Sequence, residues 1–182
     1  MRANVDSVNL RTFMRELARL SRAAGRVYLT GGACAVLLEW RPVTIDVDLK
    51  IIPDSGTLLT AIRDLKEKLD INVEFASPDD FIPALPGWQE RSRFIVREHS
   101  LDYYHYDFYA QCLSKIERGH RKDLADVQNM LTSGLVEPAK LRNLFDQIEP
   151  ELLRYPAIDP TDFRRALETT LAGTAGSAEG RA

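Results

Sequence analysis

The segment from Tyr28 to Ile51, YLTGGACAVLLEWRPVTIDVDLKI, constrains the fold of this chain more than any other. Val27 to Thr30 is a short β-prone run that meets the pair Gly31-Gly32, and Ala33 to Glu39 behind it is apolar and helix-prone. Thr44 to Ile52 then alternates Ile45, Val47 and Leu49 with Asp46, Asp48 and Lys50, the period of a strand with one buried face. The predicted order is strand, glycine turn, helix, strand. In that strand the Asp46 and Asp48 side chains share one face.

This order has chemical meaning. A glycine pair between a strand and a helix lets the backbone approach a phosphate closely, and a helix N-terminus turns unpaired N–H groups toward it. Two carboxylates at i and i+2 on one strand face lie close enough to share divalent cations, which bridge and neutralise a triphosphate. Set between Ile45, Val47 and Leu49, the two aspartates repel each other unless a cation stands between them. Each half alone has a plain structural explanation, a turn for the glycines and a solvated face for the acids. Together, with thirteen residues between Gly32 and Asp46, they favour a metal and phosphate site.

The rest of the chain reads as a mixed α/β core followed by helices. Leu10, Phe13, Met14, Leu17 and Leu20 recur at helical spacing, with Arg11, Arg15, Arg19 and Arg22 on the opposite face and Gly25 closing the pattern. Leu58 to Leu69 predicts a helix, and Ile71 to Phe75 a third strand with Asn72 and Glu74 on one face. Pro78, Pro83 and Pro86 with Gly87 make residues 77–89 irregular, and Phe94 to Val96 and Leu101 to Tyr104 read as a hairpin. From Phe108 onward strands stop: Tyr109–Arg118, His120–Thr132, Pro138–Gln147 and Pro160–Leu171 are helix-prone. The expected division is a core over residues 1–107, a helical part over 108–171 and a disordered tail over 172–182.

Composition narrows the function classes. The 24 Lys and Arg against 27 Asp and Glu, a formal net charge of −3 over 182 residues, exclude a strongly polybasic nucleic-acid binder but not a local basic patch. Cys34 and Cys112 sit far apart with no zinc spacing, no leader-like apolar region opens the chain, and no run approaches membrane-span length. A cytoplasmic protein is expected. His99, His105 and His120 show no ligand spacing, and Trp88 beside the proline-rich stretch reads as an anchor for that loop.

The Gly31-Gly32 pair followed by Asp46-x-Asp48 resembles the minimal signature of the DNA polymerase β-like nucleotidyltransferase superfamily. More narrowly, the chain is similar to small bacterial AbiEii/MenT-type toxin nucleotidyltransferases. A second segment, Tyr109 to Val127, extends the resemblance with Lys115, Arg118, Lys122, Asp123 and Asp126 at the positions of a helical Lys/Arg/Asp motif. The resemblance implies a nucleotidyltransferase-type mixed sheet with flanking helices, phosphate binding at Gly31 and Gly32, and metal binding at Asp46 and Asp48. It further implies that Lys115 contacts the triphosphate and that Asp123 orients it, although an exposed helix laced with ion pairs explains the same spacing. The superfamily places a further acid on a neighbouring strand. Glu74 fits by position where aspartate is usual, with Asp107 and Asp102 as lesser candidates.

The expected activity is Mg²⁺-dependent transfer of a nucleoside monophosphate from an NTP to an acceptor hydroxyl. The acceptor would be an RNA or tRNA 3′ end or a protein, and a cognate antitoxin would be a partner. The basic run Lys115, Arg118, Arg121 and Lys122 and the arginine face of the first helix lean toward RNA. The alternative is an inactive relative that binds nucleotides or partners without catalysis.

Overall fold

The computed structural model describes residues 2–179, with side chains through residue 173. Two compact units divide the chain: one runs to Ser77 and adds Ser92–Tyr106, the other comprises Pro78–Arg91 and the chain from Asp107 onward.

The first unit contains helices α1 (Ser7–Ser21), α2 (Gly31–Leu37) and α3 (Gly56–Lys68) and strands β1 (Gly25–Leu29), β2 (Asp46–Ile52), β3 (Asn72–Phe75), β4 (Arg93–Glu98) and β5 (Leu101–His105). The strands form one sheet in the order β3-β2-β1-β5-β4. β1 runs antiparallel to β2 and parallel to β5, while β2 and β3 are parallel. Asp6 caps α1 by accepting the Asn9 N–H at 2.8 Å, which satisfies an amide that the first turn leaves open. The apolar stripe Leu10, Phe13, Met14 and Leu17 then packs with Leu58, Ile62 and Leu65 of α3 against Val27, Leu29, Val47, Leu49, Leu101 and Tyr103 of the sheet. Tyr103 keeps its hydroxyl satisfied inside this core by donating to the Met14 carbonyl at 2.8 Å. With Val47, Leu49 and Ile51 committed to the core, alternation sends Asp46, Asp48 and Lys50 to the other face, and all three are half-buried.

The second unit is helical: α4 (Trp88–Arg91), α5 (Phe108–Arg118), α6 (Arg121–Thr132), α7 (Pro138–Ile148) and α8 (Pro160–Glu179), with 3₁₀ turns at Pro78–Asp80 and Glu149–Arg154. Asp107 caps α5 and Gly119, at φ +65°, ends it. Pro138 occupies the first turn of α7, where its missing N–H costs nothing. Phe145 meets Phe163 edge to face at 4.9 Å between centroids, which ties α7 to α8.

Two features differ from the sequence reading. The proline-rich stretch belongs with the helices: the Pro78–Asp80 turn contacts α5. Buried Ile82 and Leu85 anchor the stretch, while Trp88 is only half-buried. Helix α8 continues past Leu171 to Glu179, because Ala172, Ala175 and Ala178 supply strong helix formers that outweigh the glycines between them. The last three positions of the expected tail, 180–182, lie outside the described residues. No helix among the described residues is long and apolar enough to cross a membrane.

Candidate active site

The glycine turn rests directly on the acid strand. Gly31 has φ +56°, and a Cβ there would stand 2.6 Å from Asp48 Oδ2. A Cβ at Gly32 would stand 2.0 Å from Thr44 Oγ1. Only glycine fits both positions, the first for its backbone conformation as well as for space. The Thr30 N–H donates to the Asp48 carbonyl at 3.1 Å, and the Thr44 hydroxyl donates to the Asp46 carbonyl at 3.1 Å. Backbone and side chain together thus fix the turn against β2. Helix α2, which the turn opens, has seven residues, so its dipole is a minor contributor next to this close approach.

Strand register sets Glu74 beside the two aspartates. In the parallel β2–β3 pair Asp46 lies opposite Asn72 and Asp48 opposite Glu74. All four therefore share the face away from the core. Asn72 Nδ2 donates to Asp46 Oδ1 at 2.7 Å and to Glu74 Oε1 at 2.9 Å, so one amide bridges the two carboxylates. The structure thus brings together Gly31, Gly32, Asp46, Asp48 and Glu74. Asn72 escaped the sequence reading as a site residue, although its place two residues before Glu74 on the same strand face was a usable signal.

The donor set is oxygen only, the kind a hard divalent cation takes. Among the described residues no group of three or more His, Cys, Asp and Glu side chains is close enough to cage an ion unaided. Mg²⁺ is usually held by one or two carboxylates plus substrate phosphates and water, and Asp46 and Asp48 are the residues that would hold it. The lesser acid candidates are committed elsewhere. Asp102 takes a two-point contact from Arg97, at 2.6 and 2.7 Å. Asp107 accepts the Tyr109 N–H and the Arg91 guanidinium; burial pushes its pKa upward, against the pull of Arg91.

In the second unit Lys115 is 4% exposed and donates to Asp123 Oδ1 at 3.0 Å and to Asp126 Oδ2 at 2.7 Å. Arg118 adds a 3.0 Å bond to Asp123. Helices α5 and α6 thus present the predicted Lys115 and Asp123 to each other, with Asp126 as a further partner that the sequence reading had not counted as a site residue. The result is a buried, internally satisfied ion cluster instead of an exposed ladder of pairs. His105, buried on β5, sets its Nδ1 3.1 Å from Cys34 Sγ, and burial lowers its pKa to about 4.

Residues 8–165 match a family described as a nucleotidyltransferase of unknown function (DUF6036). The chain belongs to that family. This nucleotidyltransferase membership agrees with the glycine turn seated on the acid strand and with the mixed sheet and flanking helices around it. No curated protein and no solved structure matches the chain significantly.

Proposed function

We propose that this nucleotidyltransferase-family protein carries out metal-dependent transfer of a nucleoside monophosphate from an NTP to an acceptor hydroxyl. The observation that carries the reading is the approach of Gly31 to Asp48, where a Cβ would sit 2.6 Å from the carboxylate oxygen. A phosphate seated on that turn lies beside the carboxylates that would hold its cation. In this reading the acceptor oxygen bonds to the α-phosphorus as the bond to the bridging oxygen breaks, and pyrophosphate leaves. Gly31 and Gly32 seat the phosphates, Asp46 and Asp48 hold Mg²⁺ with help from Glu74, and Glu74 takes the acceptor proton. Bound Mg²⁺ would offset the charge that develops on the phosphates. The burial of Lys115 between Asp123 and Asp126 supports a holding role for that cluster within its unit over direct contact with the nucleotide.

The AbiEii/MenT-type likeness remains part of this proposal, with an RNA or tRNA 3′ end or a protein as acceptor and a cognate antitoxin as partner. One observation favours the second reading, a catalytically inactive nucleotide-binding module: Asn72 already engages both Asp46 and Glu74. Incubation with Mg²⁺ and each labelled NTP, with total RNA or protein as acceptor, decides between them. Transfer that EDTA and Asp48→Asn both abolish supports the enzyme. Saturable NTP binding without transfer to either acceptor supports the module.

A further inference from the structure

The sheet face that carries the acids continues into an aromatic surface. Register gives its rows. Next to Asp48, two residues further along the strand direction, Lys50 of β2 lies opposite Tyr28 of β1, Tyr28 opposite Tyr104 of β5, and Tyr104 opposite Phe94 of β4. The following row holds Arg26, Asp102 and Arg97. A register shift between Phe94 and Val96 turns Ile95 and Val96 toward the core and leaves Phe94 on the same face as Tyr104.

The rings in this row are packed in series. Tyr28 is fully buried and stacks on Tyr104 at 5.3 Å with an interplanar angle of 26°. Tyr104 is half-buried and receives Phe94 edge-on at 5.6 Å and 76°. Phe94 is 58% exposed. A single exposed phenylalanine needs no explanation. An exposed ring held by a buried aromatic stack, flanked by cations, is a preorganised stacking surface. Arg26 is exposed in the row next to Tyr28, and Asp102 holds the Arg97 guanidinium by two contacts.

We propose that this face is a platform for a single-stranded polynucleotide, with Phe94 stacking an unpaired base and Arg26 and Arg97 contacting its phosphates. The proposal rests on the nucleotidyl-transfer reading and names the acceptor class: a nucleic acid end, not a protein side chain. Charge and shape argue for this occupant. A base presents a π-face of the right size to a ring, and the Arg26, Asp102 and Arg97 row keeps a net positive charge for a phosphate, which an apolar peptide would not use. Distance agrees as well. Phe94 lies three strands from β2, about 14 Å at ~4.8 Å per strand. That is well inside the span of the ~4–16 nucleotides that single-strand-binding folds cover. A strand anchored at Phe94 can therefore present its terminal hydroxyl at Asp48 and Glu74.

The test measures binding of fluorescein-labelled 12-nucleotide RNA and DNA by anisotropy, in EDTA and without NTP, to full-length wild type, Phe94→Leu, Phe94→Trp, Arg26→Glu and Asp48→Asn. Phe94→Leu keeps an apolar cover over Tyr104 but has no π-face, and it should weaken single-strand binding about tenfold or more. Phe94→Trp should restore it, and the new indole should be quenched by the oligonucleotide. Arg26→Glu should weaken it further at low salt, and duplex should bind less well than single strand. Asp48→Asn should bind the oligonucleotide normally while losing transfer. Wild-type affinity in Phe94→Leu, equal affinity for duplex, or no saturable binding overturns the platform. If Phe94→Leu also leaves acceptor KM unchanged while Asp48→Asn abolishes transfer, the platform fails and the transferase reading stands. Loss of binding in Phe94→Leu without any Mg²⁺-dependent transfer by wild type supports the platform and sinks the transferase reading.

Discussion

The acid patch of β2 and β3 and the ion cluster of α5 and α6 are both built from charged residues that the sequence marks as functional, yet the fold treats them in opposite ways. Asp46, Asp48, Asn72 and Glu74 stand on an open strand face, half-buried or exposed. Lys115, Asp123 and Asp126 are buried, at 4%, 7% and 1% exposure, and bond to one another. An open patch keeps coordination capacity for an incoming ligand. A buried, saturated cluster spends that capacity inside the protein, where removing one member strands the others in a poor solvent. Charges of the first kind should register in activity and charges of the second kind in stability.

The largest test is Asp48→Asn. Under the transferase proposal it should lower Mg²⁺-dependent transfer by about 10³-fold or more, as loss of a main electrostatic contributor does, with an unfolding midpoint equal to or above wild type. Retained activity, read as label incorporation, breaks the comparison at its open end. Lys115→Met probes the other end. Leaving Asp123 and Asp126 without their ammonium should cost about 3–5 kcal/mol in urea unfolding, and adding Asp126→Asn should recover part of that loss. A Lys115→Met protein that unfolds like wild type but transfers nothing would mean that the cluster is catalytic after all.

His105 extends the contrast to a buried group that stays neutral. Its folded pKa, about 4, lies below the ordinary value of 6.5 because burial disfavours the charged ring. At neutral pH its stabilising contribution is fully present. As pH falls from about 6.5 toward 4 the unfolded chain takes up a proton that the folded chain refuses, so stability declines across that window, by on the order of 3 kcal/mol. His105→Gln should flatten that slope when urea midpoints are compared between pH 7 and pH 4.5. A smaller change in stability is expected for Gly31→Ala. Positive φ costs an alanine about 1 kcal/mol, while the added Cβ, 2.6 Å from Asp48 Oδ2, displaces the carboxylate. Activity should therefore fall by far more than the melting temperature suggests. The smallest effect belongs to half-buried Glu16, whose carboxyl Arg19 and Lys68 hold down at about 2. Such solvent-screened pairs contribute little, so Glu16→Gln should move Tm by no more than about 1 °C by calorimetry.

Much of the open patch was legible in the sequence because it is local. Alternation from Ile45 to Lys50 placed both aspartates on one face, and the run Ile71 to Phe75 placed Asn72 and Glu74 together. Nothing local says that β2 and β3 pair in the register Asp48 opposite Glu74, or that β1 lies between β2 and β5; those pairings follow from long-range packing. The cluster was legible as a spacing only. Lys115 and Asp126 are eleven positions apart on two helices, and their burial depends on how α5 meets α6. The aromatic row was least legible of all. Tyr28 comes from a strand remote in sequence from the hairpin that carries Phe94 and Tyr104, and a shift inside β4 decides which way Phe94 points.

Under the transferase proposal the Asn72 bridge has a kinetic consequence. A bare divalent ion approaching Asp46 must compete with an amide hydrogen bond of 2.7 Å, and it meets a second carboxylate held by the same amide at 2.9 Å. A cation that arrives already chelated by a triphosphate brings most of its own ligands and needs to win only one or two protein oxygens. Binding should therefore be ordered in effect, with the metal–nucleotide complex as the species that enters. Rates should then follow the concentration of that complex, and free metal added beyond it should bring little further gain.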